Sequence, residues 1–171
     1  MPPATSRRTG LGWREHLPTV GLVVRLILAA VWLYAGLVKL FEPGGARLAV
    51  IAYRIFPPSL VTPLGYALPA AEVVIGLFLL LGIFTRLAAI ASALLMLAFV
   101  AGIASVWARG YNIDCGCFGG GGDTSAAGRN LRYTKEIARD TAFALLSVWL
   151  IWRPRTLLSL DRIPEPEDQP A

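Results

Sequence analysis

The sequence predicts an all-α membrane protein: a bundle of four transmembrane helices with a short interfacial helix between the first and the second. The composition is the first support for this fold class, because 56% of the 171 residues are hydrophobic and only 16% are charged. A soluble domain has about 45–50% apolar and about 25% charged residues. The net charge of +5 comes from arginines that do not cluster with aromatic residues, which argues against nucleic-acid binding.

Four apolar segments are the second support. At about 1.5 Å per residue, a helix of about 20 residues crosses the roughly 30 Å of hydrocarbon in a bilayer. The first three predicted spans have this length and at most one charged residue each. The fourth is apolar only from Thr141, so it crosses the bilayer if Arg139 and Asp140 lie at the headgroups or pair inside the bundle. The predicted spans are residues 20–38, 64–84, 87–107 and 137–152.

The segments outside these spans complete the predicted organisation. Residues 46–56 place large aliphatic side chains on one helical face and Arg47 and Arg54 on the other, which predicts the interfacial helix. The aliphatic face comprises Leu48, Ile51, Ala52 and Ile55. The predicted domains are a cytoplasmic segment at 1–19, the transmembrane domain at 20–152, and a tail at 153–171, rich in proline and acidic residues, that is expected to be disordered.

The orientation of the chain in the membrane can be predicted only from the charges that flank the first helix. The total numbers of Lys and Arg on the two sides are nearly equal, so they do not decide it. Arg7, Arg8 and Arg14 precede the first span, which favours a cytoplasmic N-terminus because the first helix usually dominates topology. With four spans, both termini are then cytoplasmic and the loop between the third and fourth spans lies outside.

That loop contains both cysteines of the chain, in the segment Asp114-Cys115-Gly116-Cys117-Phe118-Gly119. A Cys-x-Cys disulfide closes a small ring under geometric strain, which makes it easy to reduce. Gly116 and Gly119 are expected to give the loop the freedom to approach another sulfur atom. Cys115 and Cys117 are therefore the predicted catalytic pair for thiol–disulfide exchange.

Neighbouring charges should tune these thiols. Asp114 is expected to raise the pKa of the adjacent thiol, and Arg109 and Arg129 to lower it if they lie close. Two other readings of the pair remain open at this point: a static disulfide staple, or half of a metal site completed by Asp114 or by a second subunit. No metal is assigned, because the ligands needed to complete such a site are missing.

Ionisable residues within the predicted spans form a second candidate group. Glu72 is a candidate for handling a proton or orienting a ligand, since a buried charge in a bilayer is costly and normally paired. A pair between Glu72 and Arg25 that fixes helix packing is the alternative. Lys39, Arg139 and Asp140 should converge beneath the cysteine loop, where a polar pocket could hold a quinone headgroup or dock a partner.

Several of these residues occur in a pattern that resembles the MauE branch of the DoxX-like membrane proteins, over about residues 20–152. The resemblance implies a four-helix bundle in the bacterial cytoplasmic membrane. It also implies a role in forming or reducing disulfides, either in methylamine dehydrogenase or in general disulfide metabolism. The pattern consists of Tyr34-Ala35-Gly36-Leu37-Val38-Lys39-Leu40, Glu72 with Gly76, Cys115-Gly116-Cys117-Phe118-Gly119, and Arg139-Asp140.

The sequence therefore predicts a membrane thiol redox protein with a candidate oxidoreductase site. This protein is expected to exchange disulfides with an extracytoplasmic protein that has a thioredoxin fold or contains a disulfide. One cysteine pair cannot carry electrons across a bilayer unaided. The missing part of the electron path must come from a quinone, another subunit or a soluble partner. By analogy with other four-helix proteins that generate disulfides, a quinone near Lys39, Glu72 and Arg139 would make the protein an oxidase. The alternative is a non-catalytic membrane anchor or assembly subunit of an oxidoreductase.

Overall fold

The computed structural model is helical, with one short two-stranded ribbon in the loop that carries the cysteines. It describes residues 12–154, 156 and 158–160, with side chains described from Leu17 onward. The ribbon pairs Ile113 with Asp123 and Asp114 with Gly122 in antiparallel register. The elements are α1 (Gly12–Phe41), α2 (Pro43–Tyr53), α3 (Pro58–Leu81), α4 (Thr85–Ala108), β1 (Ile113–Asp114), β2 (Gly122–Asp123) and α5 (Arg129–Trp152).

Within the described part of the chain, three helices are long and apolar enough to cross a membrane, at Leu17–Phe41, Pro58–Leu81 and Thr85–Ala108. Their outward faces carry large apolar side chains that are substantially exposed in the isolated chain. Such faces require a nonpolar surrounding, so the protein is a multi-pass membrane protein in contact with lipid. Helix α5 is excluded from this group because its first half is rich in charged residues, and it starts at Arg129, before the predicted position 137.

Small residues allow α1 and α3 to pack closely. A Cβ atom at Gly36 would lie 2.7 Å from Val73 Cγ2 and 2.9 Å from the Pro69 carbonyl oxygen, and one at Gly76 would lie 2.8 Å from Leu33 Cγ. Helices in a membrane associate largely through such close contacts, because lipid tails are as apolar as the side chains. The two helices therefore meet at these two glycines.

A chain of buried hydrogen bonds joins α1, α4 and α5. Trp32 Nε1 donates to Ser92 Oγ at 2.7 Å, and the Ser92 and Ser147 hydroxyls are 2.8 Å apart. Ser147 Oγ in turn donates to the Phe143 carbonyl oxygen at 2.9 Å. Every donor in this chain has an acceptor, so it holds the three helices at one level without an unsatisfied hydroxyl.

Helix α5 runs between the same two ends of the bundle as the other long helices. Near its start, the Tyr133 hydroxyl donates to the Tyr111 carbonyl oxygen at 3.0 Å, just after α4 ends. Beyond its end, Thr156 Oγ1 accepts a hydrogen bond from Arg25 in the first half of α1 at 2.8 Å. Ser159 Oγ donates to the Gly82 carbonyl oxygen at the end of α3.

These last contacts correct two sequence-based expectations. Arg25 is buried and donates to Thr156 and to the Leu158 carbonyl oxygen, so the alternative of an ion pair between Arg25 and Glu72 is not realised. The reason is position, since Arg25 lies at the end of the bundle opposite to the cysteines. In the region predicted to be a disordered tail, Thr156 is also buried, while residues 161–171 lie outside the described part of the chain.

Helix α2 contacts the bundle through small residues. Its buried residues are Ala46, Ala49, Val50 and Ala52. Of the predicted aliphatic face, Leu48 and Ile51 are about half exposed in the isolated chain and Ala52 is buried. The side chains that face the bundle are small because α2 packs closely against both α3 and the cysteine loop.

Candidate functional site

The cysteine loop is shaped by local hydrogen bonds. Asp114 Oδ1 accepts a hydrogen bond from the backbone N–H of Gly116 at 2.9 Å, which closes a turn around Cys115. The backbone N–H of Cys117 donates to Cys115 Sγ at 3.3 Å. The Tyr133 hydroxyl accepts from the Ile113 N–H at 2.8 Å and so holds the start of the loop against α5. Asp114 thus builds the turn that brings the two thiols together.

Both thiols are buried beneath this loop. Cys115 is 9% exposed and Cys117 is 7% exposed, and the structure contains them as free thiols. Two carboxyl groups of α5 lie on their side of the loop: Cys117 Sγ lies 4.0 Å from Asp140 Oδ2, and Glu136 is close enough to Cys115 for the thiol to affect its pKa. The thiol pair is therefore enclosed by acidic groups on the α5 side.

This environment affects the protonation of Cys117. Its hydrogen bond with Cys115, its burial and the negative charges of its neighbours together raise the pKa of Cys117 well above the usual range of a thiol. The positive charge of Lys39 lowers it, but this is the weakest of these effects. Cys117 therefore keeps its proton at neutral pH.

The two arginines expected to activate the thiols do not approach them. Arg109 donates to the Tyr53 carbonyl oxygen at 2.6 Å and to the Arg54 carbonyl oxygen. Arg129 donates to the Gly110 carbonyl oxygen at 3.0 Å. Both guanidinium groups bind backbone carbonyls around the loop. The cations that interact with Cys117 are instead Lys39 and Arg139.

The glycines of the loop allow close packing against α2. Gly116 has a φ of +68°, and a Cβ atom there would lie 2.5 Å from Ala49 Cβ. A Cβ atom at Gly121 would lie 2.7 Å from the same atom, and one at Gly119 would lie 2.6 Å from Val38 Cγ1. Close packing and left-handed backbone geometry thus account for Gly116 and Gly119 in addition to the predicted freedom of the loop.

The structure brings Lys39 and Glu72 together beside the thiols. Lys39 Nζ lies 2.5 Å from Glu72 Oε1, with Lys39 8% and Glu72 0% exposed. The second carboxylate oxygen, Glu72 Oε2, is buried and has no hydrogen-bond partner among the described residues. Lys39 Nζ also lies 5.5 Å from the centroid of the Phe99 ring.

Arg139 and Asp140 form a second ion pair on the other side of Cys117. Arg139 Nε lies 2.8 Å from Asp140 Oδ1, and the Arg139 guanidinium lies 4.4 Å from the centroid of the Phe118 ring. The four charged residues predicted from the sequence therefore form two separate pairs around Cys117.

A cavity of about 190 Å³ lies between α2, α3, α4 and the cysteine loop. Its walls are mainly apolar, and its polar lining includes Lys39, Glu72, Tyr53 and the two cysteines. Arg139 and Asp140 do not line it. The thiols thus separate the cavity from the second ion pair.

The family comparison agrees with this arrangement. A family model described as methylamine utilisation protein MauE matches residues 17–153. This chain belongs to the MauE family. The matched region includes the cysteine loop and both ion pairs of the MauE-family protein. No curated protein and no solved structure matches it.

Sequence reasoning missed two residues of this MauE-family site. Tyr53 lines the cavity, and its hydroxyl donates to the Cys115 carbonyl oxygen at 3.3 Å; burial is the main reason that its pKa is raised. Glu136 lies one turn before Asp140 on α5, and its pKa is affected by the nearby Cys115. The spacing of Glu136 and Asp140, four residues apart on a helix, places both carboxyls on one face and was the signal available for Glu136.

In the part of this MauE-family protein that the structure describes, no group of three or more His, Cys, Asp or Glu side chains is arranged to hold a metal ion. Of the acidic neighbours of the thiols, Asp140 is paired with Arg139. The arrangement instead provides paired thiols, neighbouring carboxyl groups and an adjacent cavity, which are the groups that thiol redox chemistry uses.

Proposed function

We propose that this MauE-family protein is a membrane thiol redox protein in which Cys115 and Cys117 alternate between a dithiol and an intramolecular disulfide. The observation that carries the proposal is the placement of two free, buried thiols one residue apart in a loop where the Cys117 N–H donates to Cys115 Sγ and Asp140 lies 4.0 Å from Cys117 Sγ. Disulfide formation joins the two sulfur atoms and releases two electrons and two protons to an oxidant, and reduction reverses these changes.

The partner in exchange is an extracytoplasmic protein with a thioredoxin fold or a reducible disulfide, and its substrates include proteins of methylamine metabolism or of disulfide metabolism in general. Because Cys117 keeps its proton, Cys115 is the sulfur that forms the mixed disulfide with a partner. When the protein reduces a partner, the Cys115 thiolate attacks the partner disulfide and releases one partner thiolate, and Cys117 then displaces the partner from Cys115. When the protein oxidises a partner, the same steps run in reverse, starting with attack of a partner thiolate on Cys115 of the disulfide. A folded partner can reach Cys115 only when the loop lifts away from Ala49, because both thiols are buried.

The proposed topology is a four-span bundle in the bacterial cytoplasmic membrane, with both termini cytoplasmic and α2 at the outer interface. Three helices meet the criteria for a span. The contacts of α5 at both ends of the bundle support it as the fourth, with its charged first half at the outer end and its apolar part from Thr141 inside the bilayer. The cysteine loop then faces the extracytoplasmic side, where disulfides persist.

Redox trapping in cells tests the proposed function. Cells are quenched in acid, the protein is denatured, and free thiols are alkylated with a polyethylene-glycol maleimide. Because the chain has only two cysteines, a gel shift reports their state directly. We expect a fraction of the protein to be unlabelled until it is reduced. We also expect Cys117→Ser to accumulate a mixed disulfide on non-reducing gels, since it retains the attacking thiol without the resolving one.

The matched control is Cys115→Ser, which keeps one buried thiol but should trap much less partner. Two thiols that stay reduced in aerobic cells, together with no mixed disulfide in Cys117→Ser, would contradict the proposal.

A non-catalytic assembly or anchoring role is the second candidate, and the burial of both thiols favours it. In that case the loop serves only to pack against α2. The double variant Cys115→Ser/Cys117→Ser distinguishes the two functions, because an assembly subunit should keep its partner bound and the redox protein should lose its activity while still inserting in the membrane.

A further inference from the structure

The cavity beside the thiols opens towards the lipid. Leu64 and Leu68 of α3 and Leu95 of α4 line it and are partly exposed, and Ala98 of α4 lines it and is exposed. All four lie on helices that are long and apolar enough to span a membrane. An opening with such a rim admits a molecule dissolved in the bilayer more readily than one from water.

The size of the cavity suits a single substituted ring. An apolar protein cavity of about 150 Å³ accommodates benzene, and this one has about 190 Å³. Phe99 forms part of the wall, and its ring is available to contact a planar ligand. A ring in the cavity can continue as an apolar tail between α3 and α4 into the lipid.

The inner end of the cavity offers hydrogen bonds that the protein itself leaves unused. Lys39 has three N–H donors, and its ion pair with Glu72 Oε1 does not require all of them. Glu72 Oε2 is a fully buried acceptor without a partner among the described residues. An unsatisfied buried carboxylate oxygen is costly, so the site is arranged for a ligand that both accepts a hydrogen bond and, in another state, donates one.

A quinone has these properties. Its carbonyl oxygens accept hydrogen bonds, which Lys39 can donate, and the hydroxyl groups of the corresponding quinol donate hydrogen bonds, which Glu72 Oε2 can accept. Cys115 and Cys117 lie in the wall of the same cavity. They are too buried for a folded protein to reach without loop movement, but a small molecule in the cavity meets them directly.

We propose that this cavity binds the ring of a lipid-soluble quinone, with its apolar tail leaving between α3 and α4, and that the quinone oxidises Cys115 and Cys117. The proposal rests on the proposed redox function and gives it a direction. The two S–H bonds break and one S–S bond forms, while the quinone takes up two electrons and two protons and becomes a quinol. The disulfide then oxidises a partner dithiol, so the protein works as an oxidase. Arg139, expected at the quinone, lies outside the cavity and has no part in binding it.

Binding is tested with the full chain in lipid nanodiscs and a benzoquinone that carries a decyl tail, by quenching of tryptophan fluorescence. We expect saturable binding at one site per chain. Ala98→Phe should weaken binding about tenfold or more, an effect of about 1.4 kcal/mol, because the ring narrows the opening. The matched control is Ala104→Phe, which makes the same change at an exposed position of α4 that does not line the cavity, and it should bind as the unmodified protein does.

Glu72→Gln tests the inner end of the cavity. It should weaken binding of the quinol more than that of the quinone, because an amide is a poorer acceptor for the quinol hydroxyl than a carboxylate. A purely structural role of Glu72 would weaken both ligands equally. Binding that is not saturable, or that Ala98→Phe leaves unchanged, would overturn the proposal and indicate partition into lipid only.

Oxidation is tested anaerobically with the reduced protein and the same quinone, counting thiols by alkylation and quinol by absorbance. One quinol should form for each disulfide. Thiols that stay reduced with the quinone but exchange with a protein disulfide would overturn the quinone inference and leave the proposed function intact. Thiols that react with neither would contradict both.

Discussion

The protonation of Cys117 is the main residue-level control over the reactivity of this site. Alkylation by iodoacetamide requires the thiolate. Because the pKa of Cys117 is raised well above its usual range, its thiolate fraction is small at neutral pH and grows as the pH rises. We therefore expect the alkylation rate of Cys117, followed by peptide mass spectrometry of the reduced protein, still to be increasing at a pH where an ordinary thiol has reached its plateau.

Removing the negative charge of Asp140 should shift this dependence to lower pH. Asp140→Asn is expected to increase the alkylation rate of Cys117 at a fixed, mildly alkaline pH by about three- to tenfold, since a tenfold change corresponds to one pKa unit. The matched control is Asp123→Asn, which changes an exposed aspartate that pairs with Arg54. A normal pH dependence in the unmodified protein, or equal effects of the two substitutions, would show that Asp140 does not act on Cys117.

At the scale of single residues, the sequence identifies residue types that are unusual in their surroundings, but it does not identify side-chain partners that only folding brings together. Two cysteines in one loop, and charges inside apolar segments, are visible in any sequence of this kind. The sequence left open whether Glu72 pairs with Arg25, because Arg25 and Lys39 occur in the same helix and only the packing of α1 on α3 places Lys39 at the level of Glu72. Tyr53 could not be recognised because only folding brings its hydroxyl to the Cys115 carbonyl oxygen.

At the scale of elements, the segment Ala35-Gly36-Leu37-Val38-Lys39 acts as a unit. Gly36 allows α1 to approach the backbone of α3 between Pro69 and Val73. Lys39 follows three residues after Gly36, on the same side of α1. It pairs with Glu72, which lies three residues after Pro69 on α3. Gly36 therefore allows the two helices to come close, and Lys39 neutralises the charge of Glu72 on the facing helix.

A double-mutant cycle tests this pairing. Lys39→Met should destabilise the protein by about 3–5 kcal/mol, because it leaves the buried carboxylate of Glu72 without its cation. The double variant Lys39→Met/Glu72→Gln should recover much of that loss, since no buried charge remains. Unfolding in mixed micelles at increasing denaturant measures both values. Equal losses in the single and double variants would show that the ion pair does not form.

The charged first half of α5 explains why its start was difficult to predict. Charged residues normally end an apolar span, so position 137 was chosen as its beginning. The helix continues back to Arg129 because Tyr133 packs in the core below the loop and Arg139 pairs with Asp140. Hydropathy detects the apolar part of such a helix but carries no information on these side-chain partners.

At the scale of the whole molecule, the proposed topology places the cysteine loop and the end of the described chain on opposite sides of the membrane. Single cysteines in a Cys115→Ser/Cys117→Ser background test this arrangement. Ser125→Cys should react with a membrane-impermeant maleimide in intact cells, because Ser125 is exposed in the cysteine loop. Leu160→Cys, also exposed, should react only after permeabilisation.

Arg86→Cys provides the control, since Arg86 is exposed at the start of α4, at the same end of the bundle as Leu160. It should behave as Leu160→Cys does. Labelling of Ser125→Cys and Leu160→Cys in intact cells, with Arg86→Cys still protected, would refute α5 as a fourth span, and labelling of only Arg86→Cys and Leu160→Cys would reverse the orientation.

The contact between α2 and the cysteine loop has a consequence for how this protein can be altered. Ala49, Gly116 and Gly121 share one small volume, so a larger side chain at any of them displaces the other two. Random libraries that change these positions one at a time should yield few active variants. The redox loop is also unsuited to grafting onto another bundle by itself, because an acceptor scaffold would have to supply the alanine face of α2 as well.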